Sequence, residues 1–124
     1  EDCARKGYRI GATVIDSDGE ARAMLTADGS DGSHVFVAMR KALVALTFGM
    51  PSSEAGQQLT SGKLPLAKVT PAMFVAGGAL PIMKQGKLIG ALGSSGAAGT
   101  GPYLGYQDEQ CAKAGLARVA AQLK

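Results

Sequence analysis

The segment HVFVAMRKALVALTF, residues 34–48, constrains the fold most. Ser33 or Asp31 can cap its start, Gly49 can close its end, and Pro51 stops it. Val35, Ala38, Ala42, Ala45 and Leu46 share one face at helical spacing. Phe36, Met39, Leu43 and Val44 make most of the remainder apolar, leaving His34, Arg40, Lys41 and Thr47 as the polar positions. A helix apolar nearly all round is buried on more than one side. A chain of 124 residues builds one core and reads as a single domain, 1–124. Part of that burial is therefore expected from a second copy, with self-association through Val35–Phe48.

The flanking segments decide the fold class. Residues 1–6 read as the last turns of a helix closed by Gly7. YRIGATVID (8–16) and ARAMLTA (21–27) read as strands joined by the turn SDGE. SSEAGQQLTSG (52–62) is a short polar helix. AMFVAGG (72–78), ALPIMKQ and KLIGALGSS read as three strands, the last two joined at Gln85–Lys87. QDEQCAKAGLARVAAQLK closes the chain as a helix, with acids at its start and bases near its end, as the helix dipole favours. Strands grouped in hairpins predict an α+β domain with an antiparallel sheet, not a doubly wound nucleotide fold.

The net charge is +3, but the basic residues are scattered and aromatics are few. Neither a nucleic-acid footprint nor a base-stacking platform is expected. No apolar run is long enough for a membrane span. Cys3 and Cys111 with a single histidine do not make a structural zinc site. The two cysteines sit on the terminal helices, where they form either a disulfide or two buried thiols. The two cysteines and a first residue other than Met point to a periplasmic or secreted protein.

The glycine-rich run GKLIGALGSSGAAGTG (86–101) raises the question of phosphate binding. No Lys follows any of the glycines from Gly90 to Gly105, Leu104 stands where a dinucleotide fingerprint needs glycine, and the helix begins several residues too late. Gly90, Gly93 and Gly96 therefore read as points of close backbone approach by a helix or ligand, with a bend.

VIDSDGEARAMLTADG, a helix carrying KA, then GGALPIMKQGKLIGALGSSG and DEQCAKAG together resemble the GlcG/HbpS-type family. That family includes haem-binding proteins and the C-terminal domain of PduO-type corrinoid adenosyltransferases. The resemblance runs from about Tyr8 to Leu123. It implies a profilin-like α/β/α architecture, a central antiparallel sheet of about five strands flanked by helices, and homo-oligomers. It also implies haem as a cofactor. The chain departs from the family pattern in a short first helix and in the insertion AAGTGPYLGY (97–106), which is expected to reshape the ligand site.

The residues that could carry chemistry are few. His34 could offer an imidazole nitrogen to haem iron, and is the one metal-ligand candidate. Met39, Met50, Met73 and Met83 read first as core filler, and Tyr103 and Tyr106 as packing residues. Lys41 sits in an apolar setting and matches the family's KA, so it needs either an anionic ligand or an acid such as Asp28 or Asp16. The expected ligand contacts are Lys41, His34, Asp28, Gly77, Gly78 and Ser95. A Ser95–His34–Asp16 triad can be written, although G-x-S-x-G is not met. Three functions remain open: a homo-oligomer binding haem or a related small anionic ligand; a small lyase, isomerase or hydratase using Lys41 and an Asp on an organic acid; and a ligand-free structural or regulatory oligomer.

Overall fold

The computed structural model describes residues 1–97 and 99–124. In chain order the elements are α1 (Asp2–Arg5), β1 (Gly11–Asp16), β2 (Ala21–Thr26), α2 (His34–Phe48), α3 (Ser52–Thr60), β3 (Ala79–Lys84), β4 (Lys87–Ser95) and α4 (Tyr106–Arg118). Short 3₁₀ turns occupy Leu66–Lys68 and Ala120–Leu123. The strands form one antiparallel sheet in the order β2-β1-β4-β3. Gln85 and Gly86 both take positive φ, 52° and 77°, which makes the tight turn between β3 and β4.

Alternate residues of β4 show the layering. A Cβ on Gly93 would lie 2.0 Å from the Ala38 carbonyl oxygen of α2. The next residue back, Leu92, packs its side chain towards Gly115 of α4. Successive strand residues face opposite ways, so α2 and α4 cover opposite faces. The result is the α/β/α sandwich expected, with four strands rather than about five.

The missing strand is Ala72–Gly78. Its Phe74 N–H is spent on the Arg40 carbonyl of α2, and its Gly77 N–H on the Leu104 carbonyl. Gly78 then turns at φ 137°, so β-pairing begins only at Ala79. Apolar composition made this segment look like a strand, but its donors point to two different neighbours.

The core under α2 is built of small side chains. Ile15, Ala42, Ala45, Ala79 and Ala91 pack with Met39, Leu43 and Leu46. Val35, Ala38, Lys41, Ala42, Val44 and Ala45 of α2 are buried, while Phe36 is 57% exposed. Gly49 closes α2 at φ 66°, as the sequence suggests. Ser33 occupies the cap position without a side-chain bond, and Asp31 Oδ1 instead accepts the Ser33 N–H at 2.8 Å.

Cys3 and Cys111 form a disulfide, with Cα atoms 5.7 Å apart, tying α1 to α4. Among the described residues no single helix is long and apolar enough to cross a membrane; α2 and α3 pass by length and composition only as a bent pair.

Candidate functional site

Lys41 enters the site from the middle of α2. Its Nζ lies 3.0 Å from Asp108 Oδ2 and donates to the Ser94 carbonyl oxygen at 3.2 Å. Both charged side chains are under a tenth exposed. Asp108 stands in the first turn of α4, where the helix dipole favours an anion. Its other oxygen, Oδ1, accepts the Ala97 N–H at 2.8 Å. Gly78 makes room for this arrangement: a Cβ there would come within 2.8 Å of Lys41 Cδ and 2.9 Å of Nζ. The acid that satisfies Lys41 is thus neither Asp28 nor Asp16.

Around this pair is a cavity of about 310 Å³, lined among others by His34, Phe74, Ser95, Gly96 and Leu104. His34, the first residue of α2, is half-buried. Gly96, at φ 109°, lets its ring lie close: a Cβ would meet His34 Cδ2 at 2.9 Å. Phe74 sets an aromatic ring 5.9 Å from Lys41 Nζ. Ser95, buried at the end of β4, pairs with Gly11, whose absent side chain admits the α2 backbone at Val35. The fold therefore brings His34, Lys41 and Ser95 to one cavity, with Gly78 packed against Lys41.

Other expected contacts lie elsewhere. Asp16 pairs with Gly90 at the far end of β1, where it accepts the Asp18 and Glu20 N–H groups and faces Arg22. At about 3.4 Å per residue, that is roughly 17 Å from the Gly11 end. A Ser95–His34–Asp16 triad is thereby broken by strand length. Asp28 follows β2 and is not among the residues lining the cavity. Gly77 packs under Tyr103 and Leu104, in a neighbouring groove. Met39, Met50, Met73 and Met83 do not line the cavity among the described residues.

The inserted loop brings a second polar cluster; its Ala98 lies outside the described residues. Tyr103 donates its phenol to Glu109 Oε2 at 2.5 Å, and Ser53 donates to the same oxygen at 3.0 Å. Glu109 is 3% exposed. Burial, and then the Glu109 carboxylate, raise the Tyr103 phenol above its ordinary range. Tyr106 stacks edge-on to Tyr103 with ring centres 5.3 Å apart. Asp108 and Glu109 were both visible in the sequence as acids at a helix start. Their partners were not, because Lys41 and Ser53 come from α2 and α3, far off in the chain, and the loop before α4 takes its path only in the folded protein.

A family model described as "Haem degrading protein HbpS-like" matches residues 1–117. A double mutant of HbpS from Streptomyces reticuli superposes with a TM-score of 0.82 at 28% identity, covering 95% of this chain and 76% of that one. The Klebsiella pneumoniae protein ORFY gives 0.80 at 21% identity, covering 97% and 81%. A PduOC:heme complex gives 0.77 at 19% identity, covering 93% and 81%; these two likenesses speak to fold. No curated protein matches the sequence. With the family model spanning nearly the whole sequence, the chain belongs to the HbpS-like family.

Proposed function

We propose that this protein binds haem or a related anionic ligand in the His34 cavity. One observation carries the reading: the chain's single histidine reaches a cavity of about 310 Å³ with apolar walls at Phe74 and Leu104. The volume is at the lower end for small-molecule sites. The donor set fits the group, since a half-buried imidazole set against a glycine has room to present a ring nitrogen. Family membership and the shared fold of a PduOC:heme complex support the same ligand. When bound, haem would supply a redox-active iron, held by His34. Lys41 is already neutralised by Asp108, so its part is to fix the cavity wall rather than to meet the ligand's carboxylates.

The disulfide supports an exported, periplasmic or secreted location, because such bonds persist in oxidising compartments. Self-association through Val35–Phe48 rests on the nearly all-round apolar pattern of that helix, on which Phe36 is 57% exposed. An organic-acid enzyme has less support, because Lys41 and the Asp beside it, Asp108, are already spent on each other and on backbone groups.

The test is a haemin titration followed by absorbance. A saturable Soret shift is expected, with affinity at least about tenfold lower in His34→Ala. A shift that never saturates, or one indifferent to His34→Ala, removes the reading.

A further inference from the structure

The His34 cavity has a larger neighbour. A groove of about 470 Å³ runs between α3 and the segment around Val75, lined by Ser53, Gln57, Ser61, Val75 and Tyr103. Ala76 and Leu104 line both spaces. Ala76 is buried, whereas Leu104 is 69% exposed, so Leu104 forms a ridge on their common border. The ridge is held from below. The Leu104 carbonyl accepts the Gly77 N–H at 2.9 Å, and Gly105 crosses Gly77 so closely that a Cβ would lie 1.9 Å from the Gly77 oxygen. Tyr103 is held to Glu109 on the groove side.

A macrocycle such as a porphyrin is broader than a cavity of about 310 Å³ can enclose. The groove beyond Leu104 offers mostly apolar surface with hydroxyl and amide groups of Ser53, Ser61 and Gln57 at its edge. We propose that the two spaces are parts of one site, and that a flat aromatic macrocycle seated on His34 reaches past Leu104 so that its far edge lies in the α3 groove. This rests on the haem reading above and adds a second set of contacts to it. Leu104 and the α3 face then select for ligand breadth, and the inserted loop that carries Leu104 is what shapes that selection in this chain.

The experiment fills the groove at positions remote from His34. Gln57 and Ser61 are exposed residues of the α3 segment that line the groove; Glu54 is exposed on α3 and does not line it. Haemin is titrated into wild type, Gln57→Trp, Ser61→Phe, Glu54→Trp and His34→Ala, with circular dichroism to verify folding. The expected result is an affinity about tenfold weaker in both groove-filling variants and unchanged in Glu54→Trp. If one groove variant misfolds, the other decides. Wild-type affinity in a folded groove variant, beside a loss in His34→Ala, overturns the two-cavity site and leaves haem binding at His34 standing. No saturable binding in wild type overturns the haem reading, and this proposal with it.

Discussion

Lys41 on one face of the sheet and Asp108 on the other meet at 3.0 Å as a desolvated ion pair. The contact ties α2 to the first turn of α4 and, through Asp108 Oδ1 and the Ala97 N–H, fixes where the inserted loop leaves β4. Neither charge has water to fall back on, so each depends on the other.

Removing one partner should therefore cost more than removing both. Lys41→Met leaves the Asp108 carboxylate buried without its cation and is expected to lower unfolding free energy by about 3–5 kcal/mol. The double variant Lys41→Met/Asp108→Leu should recover much of that loss. Urea unfolding of wild type, Lys41→Met, Asp108→Leu and the double variant gives the coupling energy directly. A Lys41→Met loss below about 1 kcal/mol would mean that the pair behaves as a solvated one.

The disulfide closes almost the whole chain, with a sequence separation of 108. α1 has only four residues, far below the length of a self-supporting helix. In the chain-entropy account a loop of about 100 residues is worth up to about 4.7 kcal/mol. Cys111→Ser, or reduction of the wild type, should lower the thermal midpoint by on the order of 10 °C. An unchanged midpoint would show that α1 docks without the bond.

Tyr103 sets a pH limit at the alkaline end. Burial, and then the neighbouring Glu109 carboxylate, raise its phenol. A raised folded-state value means that the neutral phenol stabilises the fold. That contribution is complete below about pH 10, the unfolded value, and is lost as pH rises through the folded value. Ultraviolet titration of the wild type beside Tyr103→Phe should show the Tyr103 phenol ionising above the ordinary range. Glu109→Gln should bring it part of the way down, since burial remains. A Tyr103 that titrates identically in Glu109→Gln would show that the phenol is not bonded to this carboxylate in solution.

The sequence revealed the fold where local chemistry sets it. Asp18-Gly19 and Gln85-Gly86 turn the two hairpins, Gly49 ends α2, and hydrophobic spacing gives that helix its buried face. It misled at Ala72–Gly78, where strand-like composition competes with hydrogen bonds to Arg40 and Leu104 that only the folded chain supplies. At the site, it was legible that Lys41 in an apolar helix needs an anion, but not which one. Spacing cannot rank Asp16, Asp28 and Asp108, because the choice depends on which sheet end α4 starts from. Leu104 gave no signal, being one apolar residue in a glycine-rich loop.

Gly93 on β4 and Gly96 just past it separate fold from site. A Cβ on Gly93 would sit 2.0 Å from the Ala38 carbonyl oxygen, and a buried helix backbone cannot give way there. Gly93→Ala is expected to cost about 3 kcal/mol or more by forcing α2 off the sheet. Gly96 lies just past the strand, at φ 109°, and its Cβ would meet the Arg9 oxygen at 2.7 Å and the His34 ring at 2.9 Å. Gly96→Ala carries backbone strain of about 1–3 kcal/mol. Its neighbours, however, are a loop residue and a half-buried ring, both of which can move. Gly96→Ala should thus remain folded and lose haemin affinity, whereas Gly93→Ala should lose stability first. If Gly96→Ala binds haemin as the wild type does, the imidazole does not need its place against this glycine, and the ligand is held from some other position in the cavity.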